Sequence, residues 1–238
     1  MGDGFIIIAH RGASAVAPES TRAAIRTAVA AGAQMIELDV QMTRDGRLVI
    51  FHDDRVERTT DGAGRLTAMR YAQVARLNAG VWRGPQFAGE RILLVSQALR
   101  LIPSRVRVNL ELKRTANRQA LLQHFLPLAQ RHWKRLLISS FDHQLLAPLQ
   151  RTHLARALIC HERPDRSLRD AVRLGCQAWH PLERLVTPQR VAWAHAAGLR
   201  VHPWTVDDPT RARQLVRWGV DGVFTNDPAR LRRARSFR

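Results

Sequence analysis

His10-Arg11, Glu37 with Asp39, His52-Asp53, and Glu111 with Lys113 are the residues of this chain whose types and spacing could do chemistry. Residues two apart on a strand face the same side, so Glu37 and Asp39 point together, and so do Glu111 and Lys113. Three carboxylates gathered in one place repel one another unless a cation lies among them. With hard oxygen ligands and no cysteine in the set, that cation is Mg²⁺ or Ca²⁺. Arg11 and Lys113 add positive charge for an anion, and arginine suits bidentate contact with phosphate. Two histidines supply a proton acceptor and a proton donor near neutral pH. Trp204, at the end of another apolar run, is placed to line a pocket for the organic portion of a substrate.

Each group also has a plainer account. A lone histidine at a strand end is more often a surface or hydrogen-bonded structural residue than a catalyst. Lys113 could simply neutralise Glu111, and turn or cap roles suffice for Asp53 and Asp54. Convergence is what separates the two accounts. A fold that brings positions 10, 37, 39, 52, 111 and 113 to one rim makes six titratable or charged groups costly unless they bind something.

The elements that must position them alternate along the chain. Residues 5–9 form a short β-rich apolar run ending at His10-Arg11-Gly12. A helix over 21–31 follows, with Ser20 or Thr21 as cap and Gly32 as its stop. Further strands are expected at 35–40, 106–112, 136–139, 156–160, 177–180, 199–205 and 219–224, with helical patterns between them. Thr187-Pro188, Asp208-Pro209 and Asp227-Pro228 each put a capping oxygen before a proline at the first helical position. Eight strands separated by helices in roughly 250 residues is the rhythm of a (β/α)₈ TIM barrel, whose chemistry sits at the C-terminal ends of the strands. A doubly wound sheet would carry GxGxxG after its first strand, and none is present.

One segment departs from that rhythm. Asp45-Gly46 lies between two apolar runs, a hairpin signal, and a hairpin cannot join parallel strands. Residues 47–51 are therefore expected to return antiparallel to the second strand, bringing His52 opposite positions 37–39. Residues 53–91 are rich in turn formers and read as a small subdomain inserted into the single barrel domain, 1–238.

The chain has 238 residues, 45% of them apolar, enough for a sizeable core and unlike a disordered or fibrous protein. No apolar run approaches the roughly 20 residues of a membrane span, and no export leader is evident, so a cytoplasmic location is expected. Two cysteines, Cys160 and Cys176, show no metal-site or disulfide spacing. The net charge is +18, and all but two of the 38 basic residues are arginines. A basic excess favours anionic partners. A GC-rich coding sequence would also enrich arginine over lysine.

His10-Arg11-Gly12, Pro18-Glu19-Ser20-Thr21, Glu37-Leu38-Asp39-Val40, Thr43-x-Asp45-Gly46, Phe51-His52-Asp53 and Arg58-Thr59-Thr60-Asp61-Gly62 resemble the opening signature of the glycerophosphodiester phosphodiesterases. Glu111-Leu112-Lys113, Ser140-Phe141 and Thr225-Asn226-Asp227-Pro228 resemble later blocks of the same family in the same order. The resemblance implies a TIM barrel with a small insertion, and metal-dependent hydrolysis of glycerophosphodiesters to sn-glycerol 3-phosphate and an alcohol. It implies His10 and His52 as the acid–base pair, in either order, with water or the glycerol 2-hydroxyl as nucleophile. Glu37, Asp39 and Glu111 would hold Mg²⁺ or Ca²⁺, with Arg11 and Lys113 on the phosphate. The chain departs from the family at Ser20, where asparagine is usual, and at Leu93-Leu94-Val95-Ser96-Gln97, where an acidic residue often stands.

Two other readings make different demands. A lysophospholipase D would keep the barrel and the cation. No basic amphipathic helix supports stable membrane anchoring, and residues 230–238 offer at most a weak arginine-rich contact. A basic nucleic-acid-binding domain would show an RNP, KH or helix-turn-helix pattern or one basic stripe, so no nucleic-acid partner is expected.

Overall fold

The computed structural model describes residues 4–234. Its strands, in chain order, are β1 (Ile6–Ala9), β2 (Met35–Met42), β3 (Leu48–Ile50), β4 (Arg107–Leu112), β5 (Leu136–Ser140), β6 (Ala155–Cys160), β7 (Ala178–Pro181), β8 (Arg200–Val201) and β9 (Gly222–Thr225). Eight of them run parallel in the order β8-β7-β6-β5-β4-β2-β1-β9, and β3 pairs antiparallel with β2. The helices are α1 (Arg22–Ala30), α2 (Tyr71–Val74), α3 (Val95–Leu101), α4 (Arg118–Gln130), α5 (His143–Leu146), α6 (Pro164–Arg173), α7 (Pro188–Ala196), α8 (Pro209–Arg217) and α9 (Pro228–Arg233). This is the (β/α)₈ barrel that the alternation predicts.

The last seam is where the structure departs from the predicted strands. The run 199–205 bonds to β7 from Arg200 N to Gln177 O, His202 N to Trp179 O and Trp204 N to Pro181 O (3.0 Å each), but it forms no ladder with β9, the side on which Pro203 has no N–H to give. Single hydrogen bonds close the barrel instead: Asp221 N to Val201 O (3.0 Å), Phe224 N to Pro203 O (2.9 Å) and Val206 N to Phe224 O (2.8 Å).

Inward positions follow the strand period of two. Ile8, Met35, Leu137, Ala157, Ala178 and Phe224 form an apolar layer inside the barrel. Two residues on, the same strands present His10, Glu37, Ser139, Ile159 and His180 to a pocket at the C-terminal face. The outward positions, among them Ile7, Ile36, Leu38, Leu110 and Ile138, pack against the helices in one continuous core. Helix starts follow their capping chemistry. The hydroxyl of Thr21, not Ser20, accepts from Ala24 N, and Thr187, Asp208 and Asp227 accept from first-turn amides ahead of their helices.

The hairpin returns as its sequence predicts. Val40 faces Ile50, Gln41 faces Val49, and Met42 faces Leu48; Phe51 N then donates to Asp39 O at 2.9 Å. Gln41 Nε2 lies 3.1, 3.1 and 2.7 Å from the carbonyls of Phe51, His52 and Asp53, which ties the returning chain down. Beyond it, Val49, Phe51, Val56, Leu66, Val74, Ala79 and Ile92 form a separate small apolar cluster. Cys160 and Cys176 are buried free thiols. No helix among the described residues is long and apolar enough to cross a membrane. Of the arginine-rich end, residues 235–238 lie outside the described residues.

Candidate active site

Two neighbouring strands deliver the acidic trio. Glu37 and Asp39 stand on β2, and β4 lies beside it with Asp39 in register with Glu111. One oxygen from each of Glu37, Asp39 and Glu111 falls within 4.8 Å of the others. Glu37 Oε1 and Asp39 Oδ2 are buried with no hydrogen-bond partner. Orphaned carboxylate oxygens in a buried cluster of hard donors fit a divalent cation and are costly without one. The titration of the trio carries the same signature. Burial, then repulsion from Asp39, raises Glu37 well above the usual carboxylate range and lifts Glu111 to about 7. Burial also works to raise Asp39, but Lys113 and Arg11 outweigh it and hold that carboxyl below its usual value.

Two cations flank the trio. Lys113 Nζ donates to Glu111 Oε1 at 2.8 Å and stands 3.4 Å from Asp39 Oδ1. Arg11 has a left-handed backbone (φ 54°) that turns its N–H onto Glu37 Oε2 at 2.9 Å. Gly12, which follows it, lies against Ala24 so closely that a Cβ would come within 2.7 Å of backbone, so only glycine fits. The Arg11 guanidinium places Nη1 on Glu19 Oε1 at 2.9 Å, while its Nε is buried without a hydrogen-bond partner, 3.4 Å from Asp39. A buried guanidinium N–H without a hydrogen bond, beside a pocket, suits an anionic ligand.

The histidines stand on either side of the trio, each oriented by a neighbour. His10 Nδ1 lies 2.8 Å from Asn226 Oδ1, and its Nε2 is 4.0 Å from Glu37 Oε2. Asn226 uses its side-chain and backbone N–H groups on Asp207, which leaves its amide oxygen to accept from His10 Nδ1–H. His10 Nε2 therefore carries the free lone pair. Burial, then Arg11, lowers the His10 pKa to about 4, so the ring is neutral at pH 7. His52 Nδ1 meets Asp53 Oδ1 at 2.5 Å. Burial works to raise Asp53, but hydrogen bonds from Arg58 and His52 hold it at about 2. Arg58 also bonds both oxygens of Glu19 (2.9 and 2.7 Å), so an ion-pair chain runs Arg11–Glu19–Arg58–Asp53–His52 from the loop after β1 to the segment after β3.

Around this rim lies a cavity of about 120 Å³. Its apolar wall includes Phe141, Ile159, Phe224 and Trp204, and Trp204 crosses Phe141 edge to face at 5.8 Å. Seven of the eight residues expected at the site line this cavity, and Asp39 lies beneath it, bonded to its charges. Four further contributors, Asn226, Asp207, Glu19 and Arg58, are not evident as site residues from the sequence. Glu19, Arg58 and Asn226 lie inside matched motif blocks, but nothing in strand period or spacing says what they touch. Gln97 explains the second departure from the family pattern. Its Oε1 accepts from Leu94 N at 2.8 Å at the start of α3, a capping task that an acidic side chain would also perform, and it does not line the pocket.

Fold and rim together define a barrel hydrolase whose site receives an anion at the C-terminal ends of its strands. The chain belongs to the glycerophosphoryl diester phosphodiesterase family, whose model matches residues 10–230. A glycerophosphodiester phosphodiesterase of Caldanaerobacter subterraneus subsp. tengcongensis is 35% identical over 232 residues, covering 95% of this chain and 96% of its own. A phosphodiesterase from Oleispira antarctica, solved in complex with the product sn-glycerol-3-phosphate, superposes with a TM-score of 0.91 at 32% identity, over 96% of each chain. The glycerophosphodiester phosphodiesterase of Agrobacterium tumefaciens superposes with a TM-score of 0.80 at 26% identity, over 95% of this chain and 98% of its own.

Proposed function

We propose that this chain hydrolyses glycerophosphodiesters to sn-glycerol 3-phosphate and an alcohol, using His10 and His52 as the acid–base pair and a divalent cation held by Glu37, Asp39 and Glu111. The observation that carries the cation is the pair of buried oxygens without a hydrogen bond, Glu37 Oε1 and Asp39 Oδ2. When bound, Mg²⁺ or Ca²⁺ would neutralise charge on the phosphate and orient the substrate.

The chain's own groups account for the remaining steps. Arg11 and Lys113 bind the phosphate and stabilise the charge that builds on it in the transition state. His10, neutral and with its Nε2 lone pair free, accepts the proton of the attacking oxygen as it bonds to phosphorus; that oxygen is water's, or the glycerol 2-hydroxyl's, in which case water then opens the cyclic phosphate with the two histidines exchanging roles. His52 donates a proton to the departing oxygen as its P–O bond breaks, so the alcohol leaves neutral; it does so from its imidazolium form, which Asp39 and Asp53 favour against the burial that lowers its pKa. Phe141 and Trp204 exclude water from one side of the pocket. The wider charge balance and the small cavity favour a soluble small-molecule diester as partner, in keeping with the glycerol phosphate held by the Oleispira relative.

The test is release of sn-glycerol 3-phosphate from glycerophosphocholine and glycerophosphoethanolamine after EDTA treatment, then with Mg²⁺ or Ca²⁺ restored. Activity should vanish with the chelator and return with one of the cations. His10→Ala and His52→Ala should each lower kcat by about 10²–10⁴. Full activity in either histidine variant, or indifference to EDTA, overturns the corresponding role.

A further inference from the structure

A second basin opens on the same face of the barrel, beyond Phe141 and Ile159, which line both it and the catalytic cavity. It holds about 300 Å³, against about 120 Å³ for the catalytic cavity. On the opposite flank, below the insertion, the space beside Glu19, Ser20 and His52 is only about 10 Å³. A phosphodiester carries two alcohols on opposite sides of phosphorus. With one of them at the acidic trio, the other needs room, and the basin across Phe141 offers it.

The lining of the basin gives that second alcohol a chemistry. Arg114 follows Lys113 directly, and Arg163 and Arg166 come from the loop after β6 and the start of α6. Arg114 and Arg163 have no carboxylate partner among the described residues. Arg163 takes a left-handed backbone (φ 49°) at the start of α6, and its side chain makes no capping bond. Such a conformation is uncommon for a side chain of this size. The basin's acidic side chains are Glu162 and Asp170. Asp170 is already claimed by Arg173 (2.9 Å), Arg166 (3.8 Å) and His143 (4.0 Å). Unpaired guanidiniums beside a site attract anions and repel cations. A quaternary ammonium would need open aromatic faces, whereas Phe141 is already crossed edge to face by both Trp204 and His161.

We infer that this basin seats the departing alcohol of the diester and selects alcohols that carry a second anionic group, a phosphate or a carboxylate. The inference rests on the phosphodiesterase reading and adds its substrate class.

Four diesters of sn-glycerol 3-phosphate test it: with glycerol (neutral), choline (cationic), glycerol phosphate (phosphate-bearing) and glyceric acid (carboxylate-bearing). At low ionic strength, kcat/KM for an anionic diester should exceed that for the choline diester by about tenfold, and the excess should shrink as salt screens the contact. In the Arg114→Gln/Arg163→Gln variant, the ratio of anionic to neutral kcat/KM should fall about tenfold, chiefly through KM. Whichever anionic diester loses more identifies the group that the arginines meet. Thermal melting of the variant beside the parent protein, and the single Arg114→Gln variant, separate a binding change from misfolding. A choline diester cleaved as well as the anionic ones, or a preference that survives in the double variant, overturns the inference. Failure to cleave even the neutral diester would instead overturn the phosphodiesterase reading beneath it.

Discussion

The amide oxygen of Asn226 lies 2.8 Å from Nδ1 of His10, and this contact decides which nitrogen of the ring faces the pocket. Asp207 fixes the amide from behind, accepting from Asn226 N and Nδ2 at 2.7 Å each, and Ser14 Oγ donates to the same amide oxygen at 2.9 Å. Without Asn226 the imidazole loses both its tautomer and its aim. Asn226→Ala should therefore lower kcat by about tenfold to a hundredfold while leaving KM near the parent value. The double variant with His10→Ala should be no slower than His10→Ala alone, because both changes disable one unit. Additive losses would mean that Asn226 acts apart from His10.

The acidic trio ties stability to both pH and cation. Glu37 and Glu111 have folded pKa values raised above the ordinary carboxylate range, Glu111 to about 7. Between about pH 4.5 and 7 the folded protein therefore binds more protons than the unfolded chain, and this contribution to stability falls as pH rises. A bound cation offsets the repulsion that causes it. In EDTA, then, the rise in Tm on adding saturating Mg²⁺ or Ca²⁺ should be larger at pH 7.5 than at pH 5. At a hundred times Kd, binding contributes about 2.7 kcal/mol, worth roughly 5–10 °C in a chain of this size. Glu111→Gln should shrink the cation-dependent shift at pH 7.5. An equal shift at both pH values would overturn the assignment of the trio as the cation site.

Strand period alone makes much of this site legible in the sequence. Period two places Glu37 with Asp39 and Glu111 with Lys113, and parallel pairing of β2 with β4 makes them neighbours. Asp45-Gly46 sets a register in which residue 52 returns opposite residue 38, which is why the hairpin predicts the place of His52. The rest depends on contacts between residues far apart in sequence. Asn226 reaches His10 across 216 positions, and Arg58 reaches Glu19 across 39, by side-chain geometry that no local pattern encodes. The missing ladder between β8 and β9 has a local cause, the absent N–H of Pro203, which an apolar run alone does not reveal.

His180 and His202 form a second titrating unit, buried inside the barrel with His202 Nδ1 and His180 Nε2 3.2 Å apart. Burial, then the neighbouring ring, lowers His180, and burial brings His202 to about 4. A depressed histidine pKa means the unfolded chain binds more protons between about pH 4 and 6.5, so this contribution is present above pH 6.5 and is lost as pH falls through that window. For His202 it is on the order of 3 kcal/mol. Its sign is opposite to that of the carboxylates, so the informative quantity is the difference between variant and parent. His202→Leu should lose less Tm between pH 7 and 5 than the parent does. A parallel pair of Tm curves would show that His202 is not the titrating group.

Ser20 stands where the family usually has asparagine, and the structure shows what that exchange costs. Its backbone is left-handed (φ 62°), and its hydroxyl is buried without a hydrogen-bond partner. Asparagine tolerates this conformation better than serine, and its amide offers two donors and an acceptor where serine has a stranded hydroxyl. The side chain borders the small cavity shared with Glu19, His52 and Thr59, so the added amide faces polar groups. Ser20→Asn should stabilise the protein by about 1 kcal/mol, or roughly 2–4 °C in Tm. Ser20→Ala removes the stranded hydroxyl but keeps the backbone strain, and should gain less. Circular-dichroism melts of the three proteins decide the matter: asparagine at or below the parent Tm would show that this barrel has repacked around serine.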